Sequence, residues 1–299
     1  MCDSITLMAN IDYIDKFLDN LLYHKKYSDK TITSYKRDLE QLDKSIEGKD
    51  IVSISSQDIQ LWIKKEHSKG SSAKTLQRKL STIRSFFNFM INSEVTTLNP
   101  AANIKAPKSS KKLPKAINTN ELAFLLDITP STDIEARDIA SFDLLYSCGI
   151  RLSELSAIQL KDINHSQQSI RVTGKGNKER IAYFGNKTSD SLQRWLKIRD
   201  SFNPQSNYLF ISQNGTHLTN RSIQKRLEIF AKKYASKHIH PHMLRHSFAS
   251  HVLDSSKDLL AVKDLLGHAD ISSTQIYTHL NFQQLANVFD NAHPRAKKK

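Results

Sequence analysis

The chain has 299 residues, enough for about two domains of ordinary size. With 38% apolar and 25% charged residues it can build normal cores, which excludes wholesale disorder, and eight glycines and seven prolines are too few for a loop-rich all-β or collagen-like chain. Lys and Arg number 44 against 30 Asp and Glu, a formal +14 that makes a polyanion the first partner to consider, nucleic acid ahead of a membrane surface; a merely soluble basic protein is the plainer alternative.

Two cysteines, Cys2 and Cys148, make no disulfide framework and no zinc-type spacing. The first residues include Asp3, Asp12 and Asp15 and no apolar stretch of the signal-peptide kind. No run approaches the ~18 apolar residues of a membrane span, so the expected location is the reducing cytoplasm.

In chain order, residues 11–22, 31–42 and 57–63 read as helices, with Ser28 and Ser55 as N-caps of the second and third. A fourth helix carries Leu76, Leu80, Ile83, Phe86, Phe87 and Met90 at steps of three and four, the period of one buried face. Lys74, Arg78, Lys79 and Arg84 fall between them on the other faces. They are candidate DNA contacts, with a solvated basic face as the equal alternative.

Residues 99–114 contain Pro100, Pro107 and Pro114 among lysines and no acid, which reads as an exposed linker. It divides a helical domain, 1–98, from a second domain, 115–299. The charge is uneven: residues 1–110 hold 17 basic and 13 acidic side chains, the remainder 27 and 17.

Beyond the linker helices dominate again, with one exception. Residues 169–173 and 180–184 are short β-rich runs around Gly174-Lys175-Gly176-Asn177-Lys178. Two glycines and an asparagine supply the positive φ of a tight reversal, so a β-hairpin is expected inside a mainly helical domain.

Three stretches carry polar groups suited to chemistry. In Gly149-Ile150-Arg151-Leu152-Ser153-Glu154-Leu155, Arg151 beside a glycine turn either reaches a ligand or pairs with Glu154. In His240-Pro241-His242-Met243-Leu244-Arg245-His246, a first-turn proline puts His242 and Arg245 on one helical face, an arrangement suited to a phosphate oxyanion. His242 and His246 are also neighbours at four, the competing metal reading, but the glutamate of an H-E-x-x-H site is absent. In Leu265-Leu266-Gly267-His268 and Ile276-Tyr277-Thr278-His279, a helix ends at Gly267, and Ser272 or Ser273 caps the next one, which bears Tyr277. Taken singly, Tyr277 is an ordinary core or surface tyrosine.

Taken in order, G-I-R-L-S-E-L, a Gly-Lys-Gly hairpin, H-x-x-R-H, L-L-G-H and Y-T-H resemble the tyrosine recombinases, the phage-integrase family, and within it the bacterial Xer subgroup. The motifs run from about residue 139 to the C-terminus; the first 110 residues match more loosely. The resemblance implies a mainly α fold with a small hairpin or three-stranded sheet, and a SAM-like helical N-terminal domain clamping DNA against a catalytic domain. It implies Tyr277 as nucleophile on a scissile phosphodiester and Arg151 and Arg245 on the non-bridging oxygens. His242 would assist proton transfer at the tyrosine, His268 would donate to the phosphate, and Lys175 would protonate the leaving 5′-oxygen. A proline common after the Lys-Glu-Arg strand is missing, where Ile181-Ala182-Tyr183 stands.

The physics of the residues agrees with that chemistry. A phenol with a pKa near 10 needs neighbouring cations or a base, and two guanidiniums offer fixed donors to a phosphoryl group without a metal. No phosphate-binding Gly-x-x-x-x-Gly-Lys loop for ATP occurs, and no cofactor is expected. The partners implied are a double-stranded DNA recombination site, a XerD-like recombinase in a heterotetramer that resolves chromosome dimers, and a division-linked DNA translocase. Residues 282–289 would dock into a neighbouring protomer or, alternatively, pack on their own domain. The rival functions are a phage or mobile-element integrase, a catalytically silent DNA-binding accessory protein and a metal-dependent nuclease.

Overall fold

The computed structural model describes residues 2–46, 48–107, 116–174, 178–235, 237–266 and 292–295. The chain divides into two compact units, residues 1–112 and 113–299.

The first unit is built from helices α1 (Cys2–Asp19), α2 (Asp29–Ser45), α3 (Ser56–Ser68) and α4 (Ala73–Asn92). A single π-helical turn, Asn20–His24, prolongs α1. Ser28 accepts from the Thr31 amide, and Ser55 from that of Asp58, whose carboxylate bonds back to complete a capping box. Ser72 caps α4 through Thr75 in the same way. All six apolar residues of the α4 stripe are at most 1% exposed. Phe86 meets Phe17 of α1 edge-on at 5.5 Å and Phe87 at 5.4 Å, a geometry that aligns the ring quadrupoles.

The cations of α4 do not all face outward. Lys79 is buried: its ammonium pairs with Glu66 of α3, donates to Gln41 at 2.7 Å and lies 4.9 Å from the Trp62 ring centre. Position 79 follows Leu76 by three and precedes Ile83 by four, on the edge of the buried stripe, and the Glu66 carboxylate on α3 draws its ammonium inward. Arg84 donates from Nε to Ala101 O at 3.0 Å and from Nη2 to Ile104 O. Arg78 pairs with the buried carboxylate of Asp38 and keeps its guanidinium partly exposed, while Lys74 is exposed.

Arg84 also corrects the expectation of a wholly exposed linker from residue 99. Ala101 and Ile104 belong to the first core, and Asn99 Nδ2 donates to Arg84 O and Asn88 Oδ1. Proline keeps this stretch out of a helix, so its carbonyls need other donors, and the guanidinium of Arg84 supplies them.

The second unit is arranged around α6 (Asp133–Ser147), buried on nearly every side from Glu135 onward. Around it lie α5 (Thr119–Leu126), α7 (Leu152–Ala157), α8 (Asn186–Arg199), α9 (Asn220–Tyr234), α10 (Pro241–Ser256) and α11 (Leu259–Leu266). Between α7 and α8 runs an antiparallel sheet in the order β1 (Ile163–Asn164), β2 (Ser169–Thr173), β3 (Glu179–Tyr183), with Val172 opposite Arg180. The Gly174 amide donates to Lys178 O at 2.8 Å across the turn. Gly174 does not take the positive φ expected of it, and Gly176 and Asn177 lie outside the described residues.

A fully buried helix must have its polar groups satisfied by its neighbours, and three carboxylates of α6 do this work. Glu135 takes Lys233 and Tyr234 of α9, and Asp138 takes Arg137 and Arg226. Asp143 accepts from Ser147, Thr188 and Ser191 and from Arg295, whose Nη2 donates at 2.7 Å. Arg295 Nη1 also reaches Asp127 at 2.8 Å, and the neighbouring His293 ring lies 4.9 Å from Tyr146 and 5.3 Å from Phe248. Residues 292–295 are thus packed into their own unit; residues 282–289 lie outside the described residues. Among the described residues no helix is long and apolar enough to cross a membrane.

Removing the cation from a buried carboxylate is costly. Arg295→Ala is expected to lower the unfolding free energy of the second unit by about 3–5 kcal/mol, read as a shift in the urea midpoint, because Asp143 keeps only hydroxyl partners. Acid is expected to weaken the α6–α9 contact. Burial raises the Glu135 carboxyl, but the bonds from Lys233 and Ser131 outweigh it and hold the carboxyl at about 2 against an ordinary 4.5. The stabilisation is complete above the ordinary value and is lost as pH falls toward the lower one, so Glu135→Gln should flatten the stability profile over that interval.

Candidate active site

The site begins where α6 must stop. Gly149 has φ +55°, a left-handed conformation, and a Cβ on it would stand 2.3 Å from a ring carbon of Phe248 on α10. Glycine therefore lets the turn lie flat on the aromatic ring. The fully buried Ile150 plugs the chain into the core, and Arg151 follows as N-cap of α7.

Three residues on, at the third helical position, Glu154 turns back. Its side chain is 2% exposed and accepts four hydrogen bonds. Two come from Arg151, through the backbone amide at 2.7 Å and Nη1 at 2.8 Å, and two from Arg180 of β3, both at 2.9 Å. Burial pushes the Glu154 carboxyl up, and these bonds, led by Arg180, more than offset it and leave it below the usual value. Arg151 therefore pairs with Glu154, as one of its two sequence readings expected, and keeps 37% of its side chain exposed.

Helix α10 brings the second arginine. Pro241 occupies its first turn, and the His240 ring accepts from the Met243 amide at 3.3 Å. Burial lowers the His240 pKa, helped by His242 and His238. His242 is exposed at the helix start, and Arg245 lies one turn further. Arg245 donates to Gly149 O and, at 2.9 Å, to Leu266 O at the end of α11. It thereby joins the Gly149 turn to the end of α11.

The electrostatics of this patch are lopsided. Arg151, Arg180 and Arg245 carry three positive charges against the one of Glu154. Burial, and next the Arg151 charge, push Arg245 down to about 10 from 12.5. A phosphate among these groups relieves that repulsion and accepts the unused donors.

The structure brings Arg151 and Arg245 together and sets His242 on the helix that carries Arg245. Lys175, His268 and Tyr277 lie outside the described residues, although Gly174, the residue before Lys175, sits against Glu154. Among the described residues no three His, Cys, Asp or Glu side chains gather as metal ligands. Sequence reasoning missed Arg180 and the joint use of Glu154. The capping spacing from Arg151 to Glu154 was a usable signal for Glu154, but no spacing connects Arg180, 26 residues away, to either.

Comparison with known proteins covers most of the chain. Residues 14–94 match the phage integrase N-terminal SAM-like domain and residues 115–284 the phage integrase family. The tyrosine recombinase XerC of Mannheimia succiniciproducens is 44% identical over 291 residues, covering 96% of this chain and 99% of the relative. The XerC of Haemophilus influenzae is 42% identical, covering 96% and 98%. Among solved structures, the XerH site-specific recombinase bound to difH substrate superimposes with a TM-score of 0.67 at 24% identity, over 87% of this chain and 79% of the other. The Tn1549 transposon integrase in complex with circular intermediate DNA gives 0.72 at 18% identity, over 91% and 98%, and both establish a shared fold.

Gly149 provides a direct test of the architecture. Gly149→Ala is expected to cost about 2–4 kcal/mol, from the left-handed backbone and from overpacking against Phe248, as read by chemical denaturation. Measured against Phe248→Ala alone, which carries its own cavity cost, adding Gly149→Ala should cost only the backbone part, because the ring that clashes is gone.

Proposed function

The chain belongs to the phage integrase family of tyrosine recombinases, DNA breaking and rejoining enzymes, and we propose that it is the XerC-type member of a pair acting with a XerD-like recombinase on chromosomal DNA. The observation that carries the reading of the site is the surplus of positive charge around Glu154. Arg151 and Arg245 take the non-bridging oxygens of the scissile phosphate, where charge accumulates as a fifth oxygen approaches phosphorus.

Tyr277 supplies that oxygen. Its Oη attacks phosphorus, its proton passing by way of His242, and the bond to the 5′-oxygen breaks as Lys175 gives that oxygen a proton. The products are a 3′-phosphotyrosine and a free 5′-hydroxyl. Attack by the 5′-hydroxyl of another strand runs the same steps backward and releases Tyr277, so the energy of the original phosphodiester is kept and no nucleotide triphosphate is needed. His268 adds a donor to the phosphate. Lys74, and Arg78 through the exposed part of a side chain that also pairs with Asp38, remain candidates for phosphate contacts in the first unit, whereas Lys79 is buried on Glu66 and Arg84 is engaged by backbone carbonyls. The wider setting fitting this reading is chromosome-dimer resolution in the cytoplasm, with a DNA translocase as activator.

A nicked suicide duplex, selected from a library of candidate sites, tests the chemistry. The native chain should accumulate a covalent protein–DNA adduct on denaturing gels, Tyr277→Phe should form none, and chelator should leave the adduct unchanged. An adduct that persists in Tyr277→Phe would refute the assignment. Non-covalent affinity should fall about 10³-fold between 50 and 200 mM salt, as counterions released by phosphate contacts demand. Complete exchange should require the second recombinase, and exchange by this chain alone would overturn the paired reading.

A further inference from the structure

Arg180 has no part in the reaction just described, yet it makes half of the bonds to the carboxylate on which Arg151 rests. Its Nη1 and Nη2 donate to different oxygens of Glu154, each at 2.9 Å, and its side chain is only 16% exposed. Arg151 donates to the same two oxygens, with Nη1 on Oε1 and its backbone amide on Oε2. Each carboxylate oxygen thus holds two donors, which uses its lone pairs.

A carboxylate facing one guanidinium draws it into a two-bonded fork and cancels its charge. Here the fork belongs to Arg180. Arg151 is bound through a single side-chain nitrogen, and its other guanidinium nitrogens make no hydrogen bond among the described residues. The hairpin is tied to the same point, because a Cβ on Gly174 would stand 3.4 Å from Glu154 Oε1 and 3.8 Å from Arg180 Nη1. One buried carboxylate therefore joins the turn after α6, the start of α7 and the β2–β3 hairpin.

We propose that Arg180 is a positioning residue for DNA cleavage: it occupies the forked side of Glu154, so that Arg151 keeps free donors and uncancelled charge for the scissile phosphate. This rests on the reading of Arg151 as a phosphate ligand, and the test separates the two.

The experiment compares single-turnover cleavage of suicide duplexes whose scissile linkage is either a normal phosphate or a neutral methylphosphonate. Arg151→Ala and Arg180→Ala are each expected to slow cleavage of the phosphate about 10- to 100-fold, the factor of one charge-assisted hydrogen bond, with site binding within about threefold of the native chain. On the neutral linkage, which needs no compensating cation, both deficits should shrink to below about threefold. Arg180→Lys, charged but unable to fork, should cleave the phosphate at an intermediate rate. If Arg151→Ala is not relieved on the neutral linkage, the reading of the site itself fails. If Arg151→Ala is relieved while Arg180→Ala loses equally on both linkages, Arg180 is merely structural and the proposal is overturned. Full activity in Arg180→Lys would also overturn it, since charge without the fork would then suffice. Should Arg180→Ala not fold, Arg180→Gln carries the same comparison.

Discussion

Three guanidiniums near one another repel, and a protein that gathers them must hold them against that repulsion. Glu154 is the group that makes this possible. Buried and saturated with four donors, it supplies enough negative charge to keep Arg151 and Arg180 in place and too little to neutralise the patch. Arg245 is held by neutral carbonyls, those of Gly149 and Leu266, which orient it without cancelling its charge. Burial first, and then the neighbouring guanidinium charges, depress the pKa of Arg245. On the proposed reading of the site, these groups are preorganised for an anion, so little of the binding energy would go into reorganising them.

The same device recurs through the second unit. Glu135, Asp138 and Asp143 lie on a helix buried on most sides, and each recruits a cation from another segment: Lys233 and Arg226 from α9, and Arg295 from the end of the chain. Buried ion pairs are weak sources of net stability, but an unpaired buried charge is expensive, so each pair selects one packing arrangement over its alternatives. Through Phe248, which touches both His293 and the Gly149 turn, the anchoring of residues 292–295 is continuous with the base of the site.

In the first unit, four cations lying between the apolar positions of α4 suggested a basic face, yet Lys79 is spent on Glu66 and Trp62, and Arg84 on the carbonyls of residues 101 and 104. Formal charge overstates the cations open to a polyanion whenever a long side chain can fold its charge back onto a partner.

Local pattern determined a good deal by itself. The helices of the first unit, the caps at Ser28 and Ser55, the buried stripe of α4, the β2–β3 hairpin and the first-turn Pro241 all follow from interactions within a few residues, where spacing in the chain is spacing in space. The motif residues Arg151, His242 and Arg245 were legible as a set through their order along the chain. Only the tertiary structure decided which cations are spent and which are free. Lys79 turned inward because α3 offered a carboxylate, Arg84 held residues 99–104 to the first core, and Arg180 met Glu154 because the sheet register places it there. Those outcomes depend on distances between segments far apart in sequence, and electrostatic pairing, unlike helical periodicity, leaves no repeat in the chain to announce it.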